Sequence, residues 1–304
     1  MLKQRCSRYG LGPSIALVAL GLTAAHAACP PLGYDKTSLM ALRDNGFELP
    51  DGEADAFAKA LTPCLAAPDP DLRDKVGYEA YAQLLRGDKL SDGAVIELAR
   101  TLTPLMTAPA PAPGFEAPFA ALVLSEVARA DRLGDILPAA DRTALVDQAV
   151  RYMTKIRDYR GFDADQGWRH GVAHTADLML QLSVNENLTA EHLRAMRTAI
   201  ESQINPQSTH FYIYGEPERL ARPVLYMARA GLIDAEDWNA WFAALADPAP
   251  MDAWGDAFSS QQGLARKHNV KAFALAVFAG ASSTSDANIK MLKEPAAALL
   301  RALP

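Results

Sequence analysis

The sequence predicts an all-α protein, an α/α superhelical array of antiparallel helix hairpins. Three observations carry that expectation. Half of the 304 residues are hydrophobic, yet alternating apolar–polar runs are almost absent. The apolar residues recur instead at helical spacing, between capping and stopping residues. The gaps between those stretches are short, which packs successive helices as antiparallel neighbours. A globular helical bundle is the alternative, because no repeat consensus recurs at a fixed period.

Residues 1–27 stand apart. Lys3, Arg5 and Arg8 form a basic start without an acid, an apolar run covers 11–25, and Ala25-His26-Ala27 closes it with a small-x-small pattern. That is the three-part pattern of a secretory signal peptide. The run is shorter than the roughly 20 apolar residues a spanning helix needs, and no later segment is apolar enough to cross a bilayer. The expected product is exported, periplasmic or extracellular, after cleavage near Ala27. An uncleaved anchor and an acylated Cys29 are the alternatives. Against the second, His26 stands where a lipoprotein signal carries a branched apolar residue.

Cleavage leaves 27 basic against 36 acidic residues, a net charge of −9. This excess argues against nucleic acid and anionic membranes as partners, since both need a basic patch. It also leaves two cysteines, Cys29 and Cys64, in an oxidising compartment, where they are expected to form a disulfide.

The helices follow in order, divided by turn chemistry. A helix over 36–45 stops at Gly46. The next, 52–65, stops before Pro68, and 72–86 stops at Gly87. Ser91 caps 92–103. Proline-rich residues 104–118 lack the donors for a helix. They form the expected connector between an N-terminal helical subdomain, 28–103, and a C-terminal one, 119–304. Helices are then expected at 119–132, 141–157 and 167–182, and Thr189 caps 190–204. Pro217 suits a first helical turn ahead of 218–230, which Pro223 kinks or ends. Asp234 caps 235–246, where Trp238, Trp241 and Phe242 read as core. Stretches 252–261, 269–279 and 286–303, the last kinked at Pro295, complete the series. His210-Phe-Tyr-Ile-Tyr214 is the one brief strand-like run.

One constellation points to chemistry. With about 100° per residue, a helix over 167–182 puts His170, His174 and Asp177 on one face. Two imidazoles four apart and a carboxylate three further on suit a divalent metal such as zinc, with open positions for water. A metal-bound hydroxide would then hydrolyse a substrate, with Asp163, Asp165 or Glu218 as base. The same spacing is equally that of a packing face. No Glu follows the first His, so the zinc-protease motif is absent. Phosphate loops and serine or cysteine nucleophile motifs are likewise missing.

Arg160-Gly161 followed by Gly167-Trp168-x-His170-x-x-Ala173-His174-x-x-Asp177-Leu178 resembles the hallmark of a bacterial family catalogued as domain of unknown function 2785. Leu72-Arg73-Asp74, Glu218-Arg219-Leu220-Ala221 and Asn269-x-Lys271-x-Phe273 fall in the expected order around it. The resemblance covers about 36 to 281 and implies a helical, solenoid-like fold, with no reaction attached. Arg160, Gly161, Trp168 and Arg219 join the candidate site as motif residues. One departure is visible: Ala117-Pro118-Phe119 stands where such proteins carry an Arg-Ser-Phe-like step.

Two functions from different classes follow. The first is an exported binding or scaffold protein for a protein, peptide or envelope component, supported by the helical array and the lack of a complete catalytic set. The second is a metal-dependent hydrolase or metal-binding protein using His170, His174 and Asp177.

Overall fold

Several helices begin where a short polar side chain satisfies free N–H groups. Asp35 accepts from the Ser38 amide at 2.7 Å ahead of α1 (Lys36–Asp44), and Ser91 accepts from Ala94 at 3.2 Å ahead of α4 (Asp92–Leu102). Thr189, Asp234 and Ser260 do the same for α8 (Ala190–Ile204), α10 (Ala235–Leu245) and α11 (Gln261–Ser282). Each such cap is worth about 1 kcal/mol. The computed structural model that shows these elements describes residues 29–109 and 114–304. The signal peptide expected over residues 1–27 lies outside them.

The remaining helices are α2 (Ala54–Leu61), α3 (Glu79–Arg86), α5 (Glu116–Gly134), α6 (Ala139–Lys155), α7 (Gly171–Ser183), α9 (Glu216–Arg229), α12 (Ala287–Lys290) and α13 (Lys293–Ala302). The fold class is all-α, as expected. The described strands, β1 (Phe162–Asp163) and β2 (Gly167–Trp168), pair antiparallel in a minimal ladder. No helix of the described residues is long and apolar enough to cross a membrane.

The long helices pack in two rows. In one, α5 lies on α7, α7 on α9, α9 on α11, and α11 on α13. In the other, α4 contacts α6, and α6 contacts α8. The spacing of apolar residues accounts for the first row. Val123, Leu124 and Val127 of α5, Leu178, Met179 and Leu182 of α7, and Leu220, Val224 and Met227 of α9 are all fully buried. Each set recurs at three or four residues, so each forms one stripe. Burying such a side chain stabilises by about 1.5–3 kcal/mol. Trp238, Trp241 and Phe242 are core residues, as the sequence indicates.

Several boundaries differ from those expected. The segment 72–86 is two pieces, a π-helical run Asp71–Tyr78 and then α3. Helix α9 does not end at Pro223 but continues past it, with the proline buried among its neighbours. Tertiary packing there outweighs the lost hydrogen bond. The stretch 252–261 is a 3-10 turn, Trp254–Ser259, while α11 is much longer than 269–279. Residues 210–214 form no strand; Asn269 holds them extended, accepting from the Tyr212 amide at 2.9 Å and donating to the His210 carbonyl at 3.0 Å.

Two covalent or ionic ties brace the ends of this array. Cys29 and Cys64 are disulfide-bonded, with Cα atoms 4.9 Å apart, and close a loop with a sequence separation of 35. In the Cys29→Ser/Cys64→Ser variant, loop entropy returned to the unfolded chain is expected to lower stability by about 4 kcal/mol. Urea unfolding of the two proteins under non-reducing conditions measures it, and equal midpoints would contradict the account. At the α5–α6 turn, Asp131 is buried and fully bonded. It accepts from Arg142 at 2.7 and 2.8 Å, from the Leu137 amide at 2.7 Å and from Asn185 at 2.8 Å.

Candidate functional site

The hairpin loop between α6 and α7 builds one wall of the site, and its own backbone holds it together. The Asp163 carboxylate accepts from the amides of Asp165 and Gln166 at 2.9 and 2.8 Å and closes the β1–β2 turn. The Arg169 amide donates to the Gly161 carbonyl at 3.0 Å, and the His170 amide to the Arg160 carbonyl at 3.1 Å. Arg160 pairs with Asp158 beside it, Nε to Oδ1 at 2.8 Å. Asp163, Asp165 and Arg160 are thus exposed residues of this hairpin, and none of them lines the pocket described below.

Gly161 is required by a close approach. A Cβ there would sit 2.0 Å from the Tyr214 ring. Gly161→Ala must therefore push Tyr214 aside, which overpacking of this kind makes about 1–3 kcal/mol destabilising. Chemical denaturation checks the magnitude. A variant as stable as the parent would mean that the ring has room to move.

From the other side, the π-helical run Asp71–Tyr78 reaches under the hairpin. The fully buried Arg73 donates to the Gln166 carbonyl at 2.6 Å and to the Ala67 carbonyl at 3.0 Å, and pairs with Asp74 at 2.8 Å. Its guanidinium lies 3.8 Å over the Phe115 ring and 4.9 Å from the Phe119 ring, where cation–π attraction adds to the hold. Burial lowers its pKa and raises that of Asp74.

Between these walls lies a pocket of about 450 Å³. It brings together Trp168, His170, His174, Asp177 and Arg219 of the central motif with Asp74, Tyr78, Phe119 and Tyr214. Glu218 is exposed and lies outside its walls.

The two histidines are not neighbours on one helix. Helix α7 begins at Gly171, and His170 precedes it as an N-cap residue in the left-handed region, φ 53°. The expected 167–182 helix is shorter because Gly167 and Trp168 pair with β1. This left-handed turn swings His170 against Trp168, ring centroids 4.8 Å apart and nearly parallel. Its Nε2 is buried without a hydrogen-bond partner and stands 3.6 Å from Oε1 of the buried Glu216. Burial lowers the His170 pKa to about 4 and raises that of Glu216. Glu216 also accepts from the Tyr214 amide at 2.9 Å, which fixes the segment entering α9.

His174, one turn into α7, is buried edge-on to Phe119, and burial lowers its pKa to about 3. Its Nδ1 lies 3.2 Å from the Pro118 carbonyl. A carbonyl oxygen only accepts, so Nδ1 carries the proton and Nε2 keeps a lone pair. At the Ala117-Pro118-Phe119 departure the Pro118 backbone carbonyl thus meets the motif directly, and the buried Ala117 offers no arginine there.

Asp177 is tied to Arg219 of α9 by a direct ion pair, and burial raises its pKa against that pairing. Behind it, the buried Glu126 takes hydrogen bonds from Arg86 at 2.5 and 2.9 Å and from Tyr78 at 3.2 Å. Of the three ligands suggested for a metal, Asp177 is therefore committed to Arg219, while Nε2 of each histidine stays without a hydrogen-bond partner. Among the described residues, no group of three His, Cys, Asp or Glu side chains is arranged to hold a metal ion. Sequence reasoning missed Glu216, Tyr78 and Glu126. A buried acid among capping residues gives no signal of its own, because acids at a helix start are ordinary.

A family model described as a protein of unknown function, DUF2785, matches residues 106–278. That span takes in α5 to α9, most of α11 and the pocket, but not the wall at 71–78. No curated protein and no solved structure matches the chain.

Proposed function

We propose that this chain, which belongs to the DUF2785 family, is a ligand-binding protein whose ligand sits in the pocket bounded by Trp168, His170, His174, Asp177 and Arg219. One observation carries the reading. His170 is held in a left-handed conformation with a buried, unpartnered ring nitrogen beside a buried carboxyl. Such an arrangement costs free energy of order 1–3 kcal/mol in backbone strain, with a further cost for the orphan polar atom. Residues held at that cost cluster where a ligand is met. The surrounding pocket has the composition of a small-molecule site: aromatic walls with a few converging polar groups.

Binding is favoured over metal-assisted hydrolysis because Asp177 is committed to Arg219 and no third His, Cys, Asp or Glu among the described residues joins the two histidines in a metal-holding group. The rows of helices, α5 through α13 on one side and α4, α6 and α8 on the other, support an α/α superhelical arrangement with the pocket at one edge. The disulfide and the lack of a membrane-crossing helix among the described residues are compatible with work outside the cytoplasm.

The test is a thermal-shift screen of a broad small-molecule library, run in parallel on the parent protein and on Trp168→Ala and His174→Asn variants that remain folded by circular dichroism. Ligands that stabilise the parent and not the variants support the pocket. Ligands that stabilise all three alike would move the binding site elsewhere.

A further inference from the structure

The charges in this pocket are already paired, and that limits the class of ligand it accepts. Asp74 is held by Arg73 at 2.8 Å and Asp177 by Arg219. The two imidazoles are kept neutral by burial, His170 with its pKa at about 4 and His174 at about 3. Burial also raises the pKa values of Asp74, Asp177 and Glu216. An anionic or cationic ligand entering here must either split one of these pairs or leave its own charge uncompensated in a half-enclosed site, and both are costly.

What the pocket offers is neutral recognition. His174 Nε2 carries a lone pair, because its Nδ1 is spent on the Pro118 carbonyl. The Asp177 carboxylate and the Arg219 guanidinium sit side by side, one accepting and the other donating. Beside them is aromatic surface. Trp168 is 37% exposed; one face of its ring is stacked on His170 at 4.8 Å and Tyr214 flanks it edge-on at 5.9 Å, which leaves the opposite face to a ligand. Phe162, 50% exposed and the cross-strand partner of Trp168, stands 5.2 Å from it outside the pocket lining and extends the aromatic surface. A ligand that matches both halves needs hydroxyls along one edge and a C–H face on the other.

We infer that the pocket binds a neutral saccharide. Its hydroxyls bond to His174 Nε2 and to the Asp177–Arg219 pair, and its C–H face lies on Trp168, with Phe162 meeting the next sugar ring. The inference rests on the pocket reading above and adds the ligand class to it. Donors and acceptors in adjacent pairs suit hydroxyls, which both donate and accept. A rigid aromatic plate suits the apolar face of a pyranose.

Isothermal titration and thermal shift with three matched sets test this: neutral mono- and disaccharides, the corresponding uronic acids, and the corresponding amino sugars. Neutral members are expected to bind, with disaccharides tighter than monosaccharides. The charged counterparts are expected to bind about tenfold or more weaker. Trp168→Ala abolishes binding, Phe162→Ala removes only the disaccharide advantage, and circular dichroism shows that both variants are folded. Charged sugars binding as well as neutral ones would overturn the class. If no saccharide binds while a ligand of another class still depends on Trp168, the saccharide assignment fails and the pocket stands. If saccharides bind the parent and Trp168→Ala alike, both readings fail.

Discussion

Replacing Arg73 with methionine is expected to lower stability by about 3–5 kcal/mol, the loss that follows when one partner of a buried ion pair is removed. Methionine fills much of the same volume, so the cost is electrostatic and not a cavity. Three backbone carbonyls lose their donor, those of Ala67, Pro68 and Gln166, the nearest at 2.6 Å. Asp74, already pushed towards protonation by burial, loses the cation that opposes that push. The Phe115 and Phe119 faces lose the guanidinium above them. Adding Asp74→Asn to Arg73→Met should recover part of the loss, because the stranded carboxylate goes with it. Urea unfolding of the parent, both single variants and the double variant gives the coupling. A single-variant loss under about 1 kcal/mol would mean that the Arg73 pair, though buried, contributes no more than a solvated surface pair does. The damage should also reach the pocket, since Gln166 leads directly into Gly167 and Trp168.

Arg73 illustrates what the sequence reveals and what it conceals. Its triplet is visible as a piece of the family pattern, and its place near the start of a helical segment is legible. Nothing local says that the segment winds as a π-helix or that the guanidinium crosses to a loop 93 residues later. The helical stripes of α5, α7 and α9 are legible because burial repeats at a fixed spacing, and the caps at Ser91, Thr189 and Asp234 are legible because they act within three residues. The hairpin at 162–168 is not, because two-residue strands carry no alternation to read. Its formation takes Gly167 and Trp168 out of the helix and sets His170 in the left-handed region. That one change moves His170 from a shared helix face onto the Trp168 ring. Trp168, His170, His174, Asp177 and Arg219 do meet in one pocket, but through tertiary pairs such as Asp177 with Arg219, and spacing along α7 cannot supply those.

The neutral state of the histidines has a consequence large enough to measure. In the unfolded chain each titrates near its ordinary pKa of 6.5; in the folded protein His170 titrates at about 4 and His174 at about 3. Between those values the unfolded state binds more protons, so folding stability must fall as pH falls from about 6.5. With 1.36 kcal/mol per unit, each histidine withdraws roughly 2–3 kcal/mol by pH 4.5. Asp74, Asp177 and Glu216 work in the opposite direction, because their raised folded pKa values let the native state take up protons first. The total slope is therefore a balance, and a difference isolates the imidazole. His174→Asn places an amide N–H where Nδ1 donates to Pro118 and removes the titration. The variant is expected to be less stable at pH 7.5, yet to lose roughly 2–3 kcal/mol less than the parent between pH 7.5 and 4.5. Denaturant midpoints at a series of pH values measure both slopes, and parallel slopes would show that His174 is not held neutral by burial. The same titration bears on recognition. An imidazolium has no lone pair, so a hydroxyl that donates to His174 Nε2 loses its acceptor once the ring is protonated; because the folded ring titrates at about 3, acid should release the ligand only near pH 3, well below the pH at which the fold begins to weaken.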